Sequence, residues 1–135
     1  MIREATLNDI EQLEPMGRKF HSASGQPHAF NAAASAEFVS RMIESPDAVV
    51  FMTDDGFVGG QLVPAYCDPD WIMAVELFWW ASGSGLKLLK AFEDWAIYKN
   101  ANEVRMTSLI TLKRAEKILN RKGYHAAEIS YTRVI

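Results

Sequence analysis

Cysteine is nearly absent from this 135-residue sequence: Cys67 is the only one, so no disulfide can form within the chain. An excess of positive charge is absent too, because 14 Lys and Arg stand against 17 Asp and Glu and give a formal net charge of −3. That balance counts against non-specific nucleic-acid binding, which needs a basic face. No apolar run is longer than Leu77 to Ala81, which is far too short to span a bilayer. Since Met1 to Glu4 also lacks the pattern of a signal peptide, we expect a cytoplasmic protein with no membrane partner.

The composition is that of an ordinary globular protein. Apolar residues make up 49% of the chain and charged residues 23%. The length predicts a single domain, residues 1–135, that is long enough to bury a hydrophobic core. The His, Cys, Asp and Glu residues show no metal-ligand spacing, so we expect no metal site.

The hydrophobic pattern predicts alternating groups of strands and helices. The chain begins with a strand at 2–5, a helix at 7–20 capped by Thr6, and a mobile loop at 21–34. A second helix, from a Ser35 cap to Ser45, precedes three strands at 48–53, 57–64 and 72–80. The remaining elements are a helix after Gly85, a strand at 103–110, a helix capped by Thr111 and ended by Gly123, and a strand at 128–135. The order βααβββαβαβ predicts an α+β fold around one mixed sheet.

Two strand predictions rest on local detail. Asp54-Asp55-Gly56 predicts a tight hairpin, because Asp-Gly supplies the positive φ angles that such a turn needs. The strand from Ile72 to Trp80 is apolar without alternation, which predicts burial on both of its faces.

A Gly-rich segment, Ser82-Gly83-Ser84-Gly85, leads into the third predicted helix. The start of a helix leaves backbone N–H groups free and carries partial positive charge, so it favours a phosphate. Glycines also let a ligand approach the backbone closely. The alternative is that the two glycines only turn a strand into a helix, and the motif alone leaves both interpretations open.

Three motifs resemble those of the GNAT superfamily of N-acetyltransferases, in particular short phage-type members. They are Ile2-Arg3-Glu4-Ala5-Thr6 with Asp9-Ile10, Gly83-Ser84-Gly85-Leu86-Lys87-Leu88-Leu89 followed by Phe92-Glu93-Asp94-Trp95-Ala96, and Ala115 with Gly123-Tyr124. The resemblance covers nearly the whole chain. It implies a mostly antiparallel sheet flanked by helices, acetyl-CoA as co-substrate without a metal, and a primary amine on a small molecule or protein as acceptor. Many relatives are dimers, so the resemblance leaves a homodimer open.

The resemblance also implies where acetyl-CoA would bind. The backbone of Leu77, Phe78 and Trp79 would pair with the pantetheine arm, and the amides of the turn would hold the pyrophosphate. That turn consists of Ser82, Gly83, Ser84, Gly85 and Leu86.

The sequence departs from the family pattern at three positions. Trp80 stands where the family has Gln or Arg, Ser82 stands where Arg is common, and Leu119 stands where many members carry a Tyr as general acid. The connection from the strand to Gly83 is also short. Fewer polar groups near the pyrophosphate predict weaker binding of acetyl-CoA.

Glu76 is the candidate general base, because it interrupts the apolar segment Met73 to Phe78. A carboxylate is costly to bury, so one in such a segment needs a partner or a task. Similar enzymes often carry a general-base Glu on this strand. The alternatives are that Glu76 lies at the sheet edge or pairs with an Arg.

Trp80, Asp68 and Asp70 are candidates for acceptor binding. Trp80 would line the cleft, with core packing as the alternative. The two aspartates would steer a cationic amine, with a solvated turn as the more common arrangement. His21 and His28 lie in the predicted loop, where solvent exposure is more common than substrate contact.

The sequence therefore predicts an acetyl-CoA-dependent N-acetyltransferase that transfers the acetyl group directly to a primary amine. One alternative is a catalytically silent GNAT-fold module used for binding, since fold is fixed better than function by such a resemblance. A weaker alternative is a phage-type nucleic-acid modifier that uses the basic face of the fourth helix. That face consists of Lys113, Arg114, Lys117, Arg121 and Lys122.

Overall fold

The structure is a computed structural model that describes all 135 residues. The strands are β1 (Arg3–Glu4), β2 (Ala48–Met52), β3 (Gly56–Ala65), β4 (Asp68–Ala81) and β5 (Glu103–Arg105). The helices are α1 (Ile10–Ser24), α2 (Ala32–Glu44), α3 (Gly85–Tyr98) and α4 (Lys113–Arg121), and a single 3-10 turn, Leu7–Asp9, precedes α1. None of these helices is both long enough and apolar enough to cross a membrane.

The five strands form one sheet in the order β1-β2-β3-β4-β5. Strands β1 to β4 pair antiparallel through hairpins or longer connections. Strand β5 pairs parallel with β4, because α3 carries the chain back across the sheet between them. The predicted α+β class, with a mixed and mostly antiparallel sheet flanked by helices, is confirmed.

Each face of the sheet carries its own apolar cluster, and β2 shows why. Its residues alternate between faces with the period of two that a strand imposes. Val49 packs with Leu88 and Phe92 of α3, whereas Val50 packs with Leu13 of α1 and other residues on that side. Two helical layers therefore enclose the sheet, with α3 and α4 on one side and α1 and α2 on the other.

The start of α1 is fixed by Asp9. Its carboxylate accepts hydrogen bonds from the Thr6 backbone N–H (2.7 Å) and hydroxyl (3.0 Å), and pairs with both terminal nitrogens of Arg3 (2.7 and 2.6 Å). The hydrogen bonds from Arg3 hold the pKa of Asp9 well below its usual range. This confirms the part of the predicted capping box in which the Asp9 side chain accepts a hydrogen bond from the Thr6 backbone.

The predicted loop at 21–34 is wrong in its extent. Helix α1 continues to Ser24 and ends at Gly25, whose φ of +70° suits glycine. Helix α2 begins earlier than the Ser35 prediction, because the Asn31 side chain accepts a hydrogen bond from the Ala34 N–H (3.0 Å) and acts as the cap.

The C-terminal predictions are also wrong. No strand follows β5, which ends at Arg105 rather than 110, and residues 124–135 have no regular secondary structure. The alternating pattern there is that of a strand, but a strand needs a partner, and the contact with β5 is one long ion pair between Arg105 and Glu128 (3.5 Å). Helix α4 begins after Leu112, and the hydroxyl of Thr111 donates to the Ser24 carbonyl instead of capping it.

The predicted hairpin between β2 and β3 is present, but it does not depend on positive φ angles as expected from the sequence. None of its residues has a positive φ. Gly56 is required by space instead, since an added Cβ would overlap Ala81 of the neighbouring strand. The prediction that Ile72 to Trp80 is buried on both faces is wrong as well, because Leu77 is 38% exposed and several of its neighbours are only partly buried.

A β-bulge interrupts the pairing of β3 with β4. Gly59 lies opposite Phe78 and Gly60 lies opposite Glu76, so Leu77 is left without a partner. A Cβ at Gly60 would lie 2.5 Å from the Phe92 ring and 2.5 Å from the Val75 carbonyl oxygen. The glycine pair therefore lets aromatic rings pack directly on the backbone at the bulge.

We expect Gly60→Ala to lower the free energy of unfolding by about 2 kcal/mol, the usual cost of overpacking a closed core. Gly17→Ala is the matched control, because its Cβ would meet Phe30 at an ordinary 3.5 Å and a helix interior favours Ala. Urea denaturation of both variants measures the difference. Equal stability of Gly60→Ala and the parent protein would mean that the bulge backbone yields freely.

Candidate functional site

Strands β4 and β5 separate soon after they meet. Their pairing covers only Met73 to Val75 against Glu103 to Arg105. Beyond that point β4 continues to Ala81 in pairing with β3 alone. On the side away from β3, this stretch of β4 has no strand partner for its backbone groups, and it contains the predicted pantetheine-binding residues. An extended arm with amide groups could add to such an edge as a strand does.

Glu76 lies at the point of separation. Only 4% of it is exposed, and its Oε2 accepts hydrogen bonds from the Thr107 backbone N–H (2.9 Å) and hydroxyl (2.6 Å). Burial raises the pKa of Glu76, and the two hydrogen bonds from Thr107 act in the opposite direction. No basic side chain pairs with it, so the structure contradicts the alternative of an Arg partner. A buried acid without a cation is the arrangement expected of a proton acceptor.

A cavity of about 630 Å³ opens beside Glu76, between α1, α2 and the sheet. Its floor includes Leu77 and Phe78 of β4 and Thr107 after β5. The base candidate therefore lies where the unpaired edge of β4 meets a cavity large enough for a small molecule.

The Gly-rich turn between β4 and α3 is already bound to a carboxylate of the chain. The Asp55 side chain, from the β2–β3 hairpin, accepts hydrogen bonds from the hydroxyls of Thr53 (2.8 Å), Ser82 (3.1 Å) and Ser84. It also accepts one from the Ser84 N–H (3.2 Å) and lies against Gly83. These bonds, chiefly that from Ser84, lower the pKa of Asp55 to about 2.

The first turn of α3 keeps free donors beyond this carboxylate. The N–H groups of Gly85, Leu86 and Lys87 have no acceptor within the protein. Arg114 of α4 donates to the Ser82 carbonyl (3.1 Å), which places a guanidinium beside the turn. The turn therefore has a basic neighbour that its own residues do not supply.

The predicted acceptor residues do not meet at the cavity. Trp80 packs in the cluster on the α1–α2 side, with its ring 6.2 Å from that of Phe57, and does not line the cavity. Asp68 and Asp70 are exposed at the opposite end of β4, about 26 and 20 Å along the strand from Glu76 at the usual rise per residue. They do not line the cavity, because the strand is too long for its start to reach it.

The two loop histidines do reach the cavity. His21 is on α1 and its Nε2 lies 2.7 Å from the carbonyl oxygen of His28. Both rings line the cavity together with Phe30. A place in a loop is wrong for His21, since α1 is longer than its apolar pattern indicates, whereas His28 is exposed in the loop between α1 and α2 as expected.

Three residues of the site carried no signal in the sequence. Asp55 belongs to a pattern typical of a turn, and nothing local indicates that it reaches a segment 27 to 29 residues away. Thr107 lay inside a predicted strand that ends earlier. Arg114 was one of five basic residues on a solvated helix, and only the packing of α4 against the turn distinguishes it.

We expect Asp55→Asn to lower the free energy of unfolding at pH 7 by up to about 1 kcal/mol, because it removes a negative charge beside the start of a helix. The folded pKa is below the ordinary 3.8, so the carboxylate stabilises the fold above that pH and loses its effect as the pH falls towards 2. Melts from pH 7 to pH 2 test this. Asp54→Asn, at the exposed neighbouring residue, is the control. A difference between Asp55→Asn and the parent that does not shrink in acid would contradict the assignment.

No protein-family model matches the sequence, and comparison with curated proteins finds no match. Solved structures do match. One is a probable acetyltransferase with a TM-score of 0.79 and 17% identity, covering 100% of this chain and 97% of that one. Another is ribosomal-protein-alanine N-acetyltransferase from Brucella melitensis, with a TM-score of 0.73, 14% identity and coverage of 100% and 99%. A third is a predicted acetyltransferase with acetyl-CoA from Clostridium acetobutylicum, with a TM-score of 0.77, 10% identity and coverage of 99% and 95%. The resemblance drawn from the sequence motifs is confirmed at the level of the fold, and this chain has the fold of the GNAT acetyltransferases.

Proposed function

We propose that this protein is an acetyl-CoA-dependent N-acetyltransferase that acts on a primary amine by direct transfer in a ternary complex. The observation that carries the proposal is the separation of β4 from β5, with a buried carboxylate at the point of separation and a cavity beside it. The fold supports it, and a solved structure of the same fold contains acetyl-CoA.

Acetyl-CoA would supply an activated acetyl thioester. The unpaired edge of β4 at Leu77, Phe78 and Trp79 would pair with its pantetheine arm. The bulge at Leu77 turns the strand locally and adds a residue that β3 does not pair with. The free amides of Gly85, Leu86 and Lys87 suit its pyrophosphate, since they lie at the positive N-terminal end of the α3 helix dipole.

The remaining residues of the turn have a narrower role in this proposal. Ser82, Gly83 and Ser84 face Asp55, so their donors would reach a phosphate only if that side chain moved. Arg114 would supply the positive charge that other members of the family take from the turn itself.

Glu76 would accept the proton of the attacking amine, directly or through one water. The amine nitrogen forms a bond to the acetyl carbon, the carbon–sulfur bond breaks, and the thiolate takes up a proton. A raised pKa suits Glu76 to this task, because a base is most useful when its pKa approaches the working pH. Leu119 is buried in the core, so this position of α4 supplies no acid for the thiolate.

One observation favours the silent binding module instead. Asp55 places a negative charge where the pyrophosphate of acetyl-CoA would come close, and like charges repel. In that case the chain would keep the fold and the turn, and bind something other than CoA.

We expect Glu76→Gln to reduce turnover about a hundredfold while CoA affinity is unchanged, because the amide keeps the shape but takes no proton. Turnover is measured on a panel of amines from pH 7 to pH 9, with thermal melts alongside. Glu37→Gln is the control, since Glu37 lies on the outer face of α2 in an exposed pair with Arg41.

Unchanged turnover in Glu76→Gln would remove Glu76 from the mechanism. A variant that also melts well below the parent would assign Glu76 a structural role through Thr107. A parent protein that binds CoA tightly and acetylates no amine would favour the silent module.

We expect Gly85→Asp to abolish acetyl-CoA binding, because it adds a negative charge at the first residue of α3. Gly85→Ala is the matched control: its Cβ would meet Trp79 and Ile118 at ordinary distances of 3.8 and 3.9 Å. Calorimetry with acetyl-CoA compares the three proteins. Equal affinity of Gly85→Asp and Gly85→Ala would place the pyrophosphate away from this turn.

A further inference from the structure

The cavity between α1, α2 and the sheet has an uneven distribution of charge. Three carboxylates line it, those of Glu11, Glu14 and Glu76, and no Lys or Arg does. Glu11 and Glu14 are three residues apart on α1 and so lie on the same face of that helix. Glu14 already pairs with Arg18 (3.0 Å), whose guanidinium lies over the Phe30 ring, so Glu11 and Glu76 are the carboxylates left for a cation. The lining therefore suits a cation better than an anion.

Glu76 is the carboxylate of this cavity that can bind the cationic group of a ligand. It is 96% buried and lines the cavity, yet only its Oε2 accepts hydrogen bonds from the protein. Its Oε1 accepts no hydrogen bond from the protein and is not one of the fully buried atoms, so it is open to a donor in the cavity. An N–H group of a ligand would satisfy it.

Most of the remaining lining is apolar and aromatic, and its polar members are His21, Ser24, Gln26, His28, Ser35 and Thr107. Phe20 of α1, Phe30 of the α1–α2 loop, Phe57 of β3 and Phe78 of β4 all line it, and Phe57 and Phe78 meet edge to face at 5.4 Å. Small residues of α2, such as Ala33 and Ala36, leave the space open. Hydroxyl groups or a second ammonium group placed against the phenylalanines would lose water without gaining partners.

We propose that the acceptor is a monoamine whose single ammonium group adjoins an aromatic or branched apolar body. The ammonium binds at Glu76 and the body packs against the four phenylalanines. Polyamines and amino sugars are poor ligands. This inference rests on the proposed function, since it specifies the acceptor of the same site.

Calorimetry with four probes, each with and without CoA, tests the proposal. The probes are 2-phenylethylamine, its neutral counterpart 2-phenylethanol, glucosamine and spermidine. We expect 2-phenylethylamine to bind at least about tenfold more tightly than each of the others, a difference of about 1.4 kcal/mol. No binding of 2-phenylethylamine in either condition, or tighter binding of spermidine or glucosamine, overturns the proposal.

Two variants locate the binding. Ala36→Leu places a larger side chain in the cavity. It should lower the affinity for 2-phenylethylamine about tenfold, because the amine loses apolar contact with the wall. Ala34→Leu makes the same change at an exposed residue of α2 outside the cavity and should leave affinity unchanged. Equal affinity of both variants would place the amine elsewhere and overturn the proposal.

The outcomes separate this inference from the proposed function. Binding of 2-phenylethylamine in the cavity without acetylation supports the inference and refutes the enzyme. Acetylation that prefers spermidine or glucosamine supports the enzyme and refutes the inference.

Discussion

The site depends on how far two parallel strands stay together. Strands β4 and β5 share three residue pairs, and the backbone N–H of Thr107, which follows β5, donates to the Glu76 side chain. A side-chain carboxylate thus takes the bonding position that a backbone carbonyl would hold in a continued ladder. Were the pairing to continue, the β4 edge would be closed and the carboxylate would have no space. The separation of the strands therefore creates the free edge, the buried acid and access to the cavity together.

The turn before α3 already holds one anion, the Asp55 carboxylate. The start of α3 is an electropositive place, and the chain itself partly neutralises it with Asp55. A carboxylate held by three hydroxyls and a backbone amide is stable there, and its depressed pKa reflects those bonds. Any phosphate at the turn must share these donors or use the next three amides along the helix. Arg114 would weaken the repulsion between the Asp55 carboxylate and such a phosphate, because its guanidinium lies beside the Ser82 carbonyl.

Much of the fold could be predicted from the sequence, because local patterns determined it. The helical stripes, the capping by Asp9 and the apolar strands are short-range features, and they gave the order of elements up to β5. The sequence also indicated Glu76, since a charge inside an apolar strand is conspicuous. The segment at 128–135 shows the limit of such patterns: alternation gives a strand its faces, while a strand exists only where another backbone lies within reach.

The details of the site depended on contacts between distant segments. Asp55 reaches the turn from a hairpin, Thr107 reaches Glu76 across the separated strands, and α1 brings His21 to the cavity. Asp68 and Asp70 lie away from the cavity for a related reason. Their distance from Glu76 follows from strand length and not from residue type.

Amide hydrogen exchange with saturating acetyl-CoA tests the central claim most directly. If the free edge of β4 and the first turn of α3 hold acetyl-CoA, the N–H groups of residues 77–81 that point away from β3 and those of residues 85–87 should exchange more slowly, because they gain an acceptor or lose contact with water. Amides of the exposed C-terminal segment at 128–135 should be unaffected. Protection that is absent from residues 77–87 at millimolar acetyl-CoA, or that appears only elsewhere, would contradict the account.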